Sequence, residues 1–385
     1  MKNNKSDSLG IYIHIPFCVR KCNYCDFLSF SAGQKIKKKY VEALTGEIKH
    51  MSHTGRDRLV NSIFLGGGTP SVLDADYIKM IMKAINDNFN VSHNCEATIE
   101  ANPGTITKEK ADAYRECGFN RISFGLQSTD NDVLKTIGRI HTYEDFLESY
   151  EIARKAGFTN INIDMMQALP GQSLEEYVKG LKKVIELKPE HISAYSLIVE
   201  EGTHLYEHLS EYPQLPDEDE ERQIYYATGE MLENAGYSRY EISNYAKEGY
   251  CCNHNMIYWQ RGNYLGMGLG ASSLLDGVRY RNTSDMEEYL TNVGVRSVVE
   301  VTEELSEKDA MSEFMFLGLR MTKGVTDGEF QHDFGKHIAD VYGKAIEKNI
   351  TLGLLEEYTD GREVCYRLTE RGVDVSNIVM SDFLL

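Results

Sequence analysis

Between Ile11 and Leu197, short β-branched and aromatic runs alternate with longer amphipathic stretches, which constrains the fold more than any other feature of the chain. The runs are Ile11–Ile15, Ser62–Leu65, Ala97–Ala101, Arg121–Leu126, Asn160–Met165 and His191–Leu197. They are short and rich in Ile, Val, Phe and Tyr, as strands buried on both faces tend to be. Helical periodicity occupies about Lys37–Met51, Ala75–Phe89, Lys108–Cys117, Tyr143–Ala156 and Leu174–Leu187 between them. Thr107 supplies a start signal, and Gly118 and Gly157 follow the last periodic residues as helix-ending glycines. Strands spaced in this way are joined by right-handed crossovers. Six βα units in a row predict an α/β fold built on a parallel TIM-type barrel, complete or partial.

After Leu197 the rhythm changes. Pro213 and Pro216 precede the acidic run Asp217–Glu221, which reads as the solvated start of a helix reaching Asn234. Residues 240–285 are rich in Tyr, Asn and Gly and read as an irregular functional segment. Beyond Ser306 the pattern predicts a helix over Lys308–Met321, a helical stretch over about Asp327–Asn349, and a hairpin. The hairpin strands Leu354–Tyr358 and Val364–Leu368 flank the turn dipeptide Asp360-Gly361. Helix, helix and hairpin suggest a smaller α+β, winged-helix-like domain. The expected division is a barrel domain over 1–236, a connecting segment over 237–305 and a C-terminal domain over 306–385.

Charge and composition exclude several functions. The 385 residues carry 41 Lys+Arg against 59 Asp+Glu, a net −18, which disfavours a nucleic-acid partner because phosphates repel such a surface. Residues 306–385 hold nine basic and fifteen acidic side chains, so a winged helix there is expected to dock a partner or act as a lid rather than read DNA. Residues 1–7 have no apolar core for a signal peptide, and an uncharged stretch such as Gly262–Leu275 covers only 14 residues, too few to span a bilayer. The expected location is the cytoplasm, with a peripheral position at the inner membrane left open. Three of the eight cysteines crowd into eight positions, which points to a reducing compartment and a metal site.

Those three are Cys18, Cys22 and Cys25, in the run Ile11-Tyr12-Ile13-His14-Ile15-Pro16-Phe17-Cys18-Val19-Arg20-Lys21-Cys22-Asn23-Tyr24-Cys25-Asp26-Phe27. The C-x3-C-x2-C loop follows the first strand at its C-terminal end, where parallel barrels place their active sites. Three thiolates can hold three irons of a [4Fe–4S] cluster and leave the fourth open to a ligand. A structural zinc site would want four protein ligands, and no further Cys or His follows at zinc-finger spacing. Cys95, Cys117 and Cys365 stand alone and read as buried thiols.

This block resembles the radical S-adenosylmethionine (SAM) superfamily, and IYIHIPFC followed by C-x-YCDF is similar to the oxygen-independent coproporphyrinogen III oxidase family, including its haem-chaperone branch. The resemblance extends from Leu9 into the C-terminal module. It implies a [4Fe–4S] cluster on Cys18, Cys22 and Cys25, with SAM bound at its open iron and cleaved there to a 5′-deoxyadenosyl radical. It assigns Gly67, Gly68 and Thr69, in the run Gly66-Gly67-Gly68-Thr69-Pro70, to the amino-acid end of SAM. Tyr12, Tyr24, Glu100, Gln127, Arg139 and Asp164 also match SAM-contacting positions. In the implied division, carboxylates take ribose hydroxyls or the ammonium group and Arg139 takes the methionine carboxylate.

Two features separate the branches. Oxidases of the family carry a further cysteine two residues after the third ligand and a longer N-terminal extension. This chain has Phe27 at that position and begins its cluster loop 17 residues from the start. The run Cys252-Asn253-His254-Asn255-Met256-Ile257-Tyr258-Trp259 contains H-N-x-x-Y-W, similar to the chaperone branch's signature, and holds the chain's single Trp. A neutral imidazole can ligate haem iron and aromatic side chains can pack on the macrocycle, so His254 is the candidate haem ligand. The expected function is haem binding and delivery to haem-requiring proteins, respiratory ones among the candidates. The alternatives are oxidative decarboxylation of coproporphyrinogen III and another SAM-radical reaction such as methyl transfer.

Overall fold

The computed structural model describes residues 8–55, 57–294 and 297–385. Its first six strands are β1 (Ser8–Ile15), β2 (Leu59–Gly67), β3 (Asn90–Ala101), β4 (Arg121–Gln127), β5 (Ile161–Gln167) and β6 (His191–Ser196). They pair in sequence order and all in parallel. Each follows from the run of apolar residues that marks it. In β1, Leu9, Ile11, Ile13 and Ile15 are fully buried in the main core, while Tyr12 and His14 project from the other face. The intervening helices obey their start and stop signals. Thr107 accepts the N–H of Lys110, Asp217 accepts that of Glu220 ahead of helix 218–234, and Gly118 and Gly157 adopt φ of +94° and +91°.

The barrel is partial. Two short strands, β7 (Ser238–Glu241) and β8 (Asn244–Ala246), extend the sheet beyond β6 in antiparallel fashion. At the other edge β9 (Tyr264–Met267) pairs in parallel with β1, followed by antiparallel β10 (Ser272–Leu275), β11 (Val278–Asn282) and β12 (Val299–Glu304). The twelve-stranded order is therefore β12-β11-β10-β9-β1-β2-β3-β4-β5-β6-β8-β7, in which β1 and β6 do not meet. The segment that reads as irregular from its sequence is thus built into the sheet. Its strands are three to five residues long, too short for period-2 alternation to stand out.

A second hydrophobic core, from Met311 to Phe383, organises the C-terminal part around Phe314, Phe330, Tyr342 and Tyr366. Helices 307–318, 327–334 and 338–351 pack against a small sheet of β13 (Val325–Thr326), β14 (Leu355–Asp360) and β15 (Glu363–Leu368), ordered β13-β15-β14. The helical stretch expected over Asp327–Asn349 is two helices, because Gly335 takes a left-handed φ of +67° and ends the first. The hairpin forms as its sequence predicts, but its two-residue turn is Gly361-Arg362, one residue later than expected, because Asp360 still pairs with Glu363 as the last rung of the ladder.

Candidate functional site

The cysteine loop lies at the C-terminal end of β1 and is fastened from several sides. Cys18 N–H donates to Phe30 O at 3.1 Å, Asn23 N–H to Ile137 O at 3.1 Å, and Arg20 Nη2 to Gly138 O at 2.8 Å. Cys18, Cys22 and Cys25 all line one cavity of about 120 Å³, and all three are free cysteines in partly exposed positions. Burial pushes the Cys25 thiol up.

The same cavity brings together the sequence-predicted residues from the other strand ends: Tyr24, Gly67, Gly68, Thr69, Glu100, Gln127, Arg139 and Asp164. The glycine run is shaped by its neighbours as well as by any ligand. Gly68 N–H and Thr69 N–H donate to Ile15 O and Phe17 O at 2.8 Å, stitching the run to the start of the cysteine loop. A Cβ on Gly67, whose φ is +107°, would stand 2.4 Å from the His14 ring, so only glycine fits there. Gly67 N–H then donates to Glu100 Oε2 at 3.1 Å, and Thr69 Oγ1 lies 3.5 Å from Cys18 Sγ.

Two carboxyl groups, Glu100 and Asp164, line this cavity, with the charge of Arg121 acting on both and that of Arg139 on Asp164. Burial, then the neighbouring Asp164, pushes the Glu100 carboxyl up to about 8, and burial likewise raises Asp164. Arg139 supplies the positive charge. Its guanidinium donates to Asn102 Oδ1 at 2.8 Å, to Cys22 Sγ at 3.4 Å and to Gly125 O, while its Nε is buried with no partner. Asn102, missed by sequence reasoning, also donates to Thr69 Oγ1 at 2.8 Å and so ties Arg139 to the glycine run. Tyr195, likewise missed, lines the cavity and donates to Gln127 Oε1 at 3.1 Å; Gln127 itself sits at a φ of +72°. The polar Asn102 before Pro103 at a strand end is the one signal that could have pointed to it.

Tyr12 and His254 lie outside this cavity. Tyr12 sits one layer deeper, its hydroxyl 3.0 Å from His14 Nδ1 and its ring 6.3 Å from that of His254. Helix 253–259 packs against β1 and β2 at the opposite end of the barrel, where a Cβ on Gly10 would meet Ile257 at 2.9 Å. The Glu96 carboxylate receives the N–H groups of Asn253 and His254, each at 3.2 Å. The His254 ring is fully buried and stacked on Phe64 at 5.1 Å. Its Nδ1 lies 2.8 Å from Ser62 Oγ and its Nε2 2.9 Å from Tyr258 OH, and burial drives its pKa down to about 3. Both nitrogens are thus engaged, so an iron could reach either only if one of these bonds broke. Trp259, at the end of this helix, has the Arg320 guanidinium 4.3 Å over its ring.

The residues at the cavity fit the group the cysteines suggest. Among the described residues no three His, Cys, Asp or Glu side chains converge to chelate a single metal ion. A four-iron cluster asks for something different, one thiolate per iron at separate corners, and three cysteines lining one cavity can meet that. A ligand carrying a sulfonium, an ammonium and a carboxylate matches the two buried carboxyls, whose burial outweighs the charges beside them, and the unpartnered Arg139 Nε.

Fold and site together define a radical SAM protein. Residues 12–184 match the family model of the radical SAM superfamily and residues 305–375 that of the HemN C-terminal domain. The chain belongs to this superfamily and, within it, to the family of the HemW haem chaperones. It is 37% identical to haem chaperone HemW of Lactococcus lactis over 97% of both chains, and 35% identical to that of Escherichia coli over 99% of both. Among solved structures, coproporphyrinogen III oxidase (HemN) of Escherichia coli matches with a TM-score of 0.85 and 24% identity. That match covers 99% of this chain and 91% of the other, a likeness of fold. The [4Fe–4S] cluster and SAM are the cofactors of the superfamily.

Proposed function

We propose that this chain is a haem chaperone that binds haem and passes it to haem-requiring proteins. The observation that carries the reading is the likeness to HemW proteins over nearly the full length, through barrel, H-N-x-x-Y-W segment and C-terminal domain alike. Phe27, exposed beside the cluster loop where oxidases of the family carry cysteine, supports the same choice.

In this reading Cys18, Cys22 and Cys25 hold the cluster. Gly67, Gly68 and Thr69 present backbone and hydroxyl to the amino-acid end of SAM, with Tyr24 and Gln127 around it and Tyr12 one layer beneath. Glu100 and Asp164 face its cationic groups, and Arg139 offers Nε to its carboxylate. When bound, these cofactors supply one-electron chemistry at the sulfonium. The chain's own contribution is to fix the ligand against the thiolates and to shield it within the barrel mouth. His254 is the candidate axial ligand of haem, provided that helix 253–259 loosens from Ser62 or Tyr258. The two cores favour a division near residue 305, with 237–304 counted as part of the barrel domain. No helix among the described residues is long and apolar enough to cross a membrane. A peripheral membrane position and respiratory acceptors belong to the proposal.

The test is an anaerobic incubation of cluster-loaded protein with SAM, a reductant and coproporphyrinogen III, run beside transfer of bound haem to an apo-haemoprotein. Haem transfer without protoporphyrinogen is the expected result. Steady protoporphyrinogen formation would reject the chaperone reading in favour of the oxidase.

A further inference from the structure

A directed chain of hydrogen bonds crosses the barrel interior, from the segment that bears His254 to the cofactor cavity. The backbone N–H of Cys252 donates to the hydroxyl oxygen of Tyr240 at 3.2 Å, and that hydroxyl lies 2.8 Å from Nε2 of His191. Nδ1 of His191 is 2.6 Å from Asn162 Oδ1, and Asn162 Nδ2 donates to Asp164 Oδ1 at 2.7 Å. The second N–H of Asn162 goes to Ser123 Oγ at 2.8 Å, and its oxygen also accepts from Ser193 Oγ at 3.1 Å.

All four bonding positions of this amide are therefore used. The direction of the chain is set from its cavity end. Burial raises Asp164, but Asn162, Ser193, Arg121 and Arg139 favour its ionised form, which can only accept; Asn162 then turns its nitrogen toward it and its oxygen toward His191. His191 then carries its proton on Nδ1. Burial, then the charge of Arg121, holds the imidazole well below its usual pKa and therefore neutral, which leaves Nε2 to accept from Tyr240. His191 is fully buried and Asn162 is 2% exposed, so water cannot take over either bond.

We infer that His191, locked in this tautomer by Tyr240, is a positioning residue that orients Asp164 through Asn162 and links the Cys252–Trp259 segment to the cofactor cavity. The inference rests on the reading that Asp164 contacts SAM, and it extends that reading to residues no sequence motif marks. Loosening of helix 253–259 pulls on the Cys252 end of the chain, so haem capture at that helix is felt at Asp164.

The test uses cluster-loaded full-length protein and four forms: wild type, Asp164→Asn, Tyr240→Phe and the double variant. Tyr240→Phe removes only a hydroxyl, on a residue absent from the lining of the cofactor cavity, and its melting curve is compared with wild type to check folding. The expected SAM affinity falls about tenfold or more in Asp164→Asn and about three- to tenfold in Tyr240→Phe, with no further loss in the double variant. In parallel, 15N-edited spectra should show His191 as a single Nδ1–H tautomer in wild type and as a mixture in Tyr240→Phe. Wild-type affinity in Tyr240→Phe, fully additive losses or an unchanged tautomer would overturn the inference. If Asp164→Asn binds SAM as wild type does, the role given to Asp164, and with it the inference, falls. The tautomer result then reports separately whether the chain exists.

Discussion

Arg139 reaches Cys22 across the mouth of the barrel, its Nη1 donating to the sulfur at 3.4 Å while Nη2 donates to Asn102 Oδ1 at 2.8 Å. A residue 117 positions along the chain thus places a permanent positive charge against a candidate cluster ligand. Reduction adds a negative charge to a cluster, so a fixed cation beside one of its thiolates favours the reduced form. Arg139→Gln keeps a donor but removes the charge. The expected outcome is a cluster that still assembles, with a midpoint potential lower by on the order of tens of millivolts once solvent screening is counted. Anaerobic redox titration followed by EPR measures it, and an unchanged or higher potential refutes the role.

Glu100 predicts a pH dependence for SAM binding. Its carboxyl, raised to about 8 by burial and by Asp164, is mostly protonated in the ligand-free protein at neutral pH. A cationic ligand prefers the ionised form and so lowers that pKa. Affinity should therefore rise as pH increases toward about 8 and level off above it, with a proton released on binding below that point. Calorimetry in two buffers of different ionisation enthalpy counts the proton. Glu100→Gln should flatten the profile; a wild-type profile that is flat to begin with would remove the carboxylate from the binding step.

The cysteines divide cleanly. Single Cys→Ser changes at Cys18, Cys22 or Cys25 should each cost most of the iron and the brown chromophore, because a cubane with two anchors exchanges readily. Cys117→Ser, at a helix end remote from the cavity, should leave both intact. Iron and sulfide analysis after anaerobic reconstitution decides it, and zinc retained by the three cysteines in place of iron would overturn the cluster assignment.

These predictions also show what the sequence disclosed. The six parallel strands were legible because each is a compact apolar run, and the cavity residues because carboxylates and Gln127 at strand ends have no place in a core unless something binds them. Three things were not legible. Closure depends on which edges pair, and nothing in Tyr264–Met267 announces a parallel partnership with β1. The roles of Asn102 and Tyr195 depend on contacts with Arg139 and Gln127, far away in sequence. The H-N-x-x-Y-W run offered His254 as a haem ligand but gave no sign that its ring is stacked on Phe64 with both nitrogens engaged, a burial produced by the packing of helix 253–259 onto Gly10 and β2.

That burial makes the haem ligand testable by its energetics. For His254 to bind iron, Nε2 must part from Tyr258 or Nδ1 from Ser62, so the free protein works against its own cargo by the strength of the bond released. A neutral hydrogen bond of this kind contributes about 1 kcal/mol, or roughly a fivefold change in an equilibrium. Tyr258→Phe removes the restraint on Nε2 while keeping the ring that packs on Tyr264 at 4.7 Å. Its haem affinity should therefore rise, by about fivefold, with a small loss of thermal stability. His254→Ala should instead lose haem and destabilise the fold by about 3 kcal/mol or more, since it empties a buried ring site and leaves Ser62 unpartnered. Haem titrations and urea melts on the three proteins separate the cases. Higher affinity in Tyr258→Phe alongside loss in His254→Ala supports ligation by Nε2, whereas unchanged affinity in both leaves His254 as a structural plug at the closed end of the barrel.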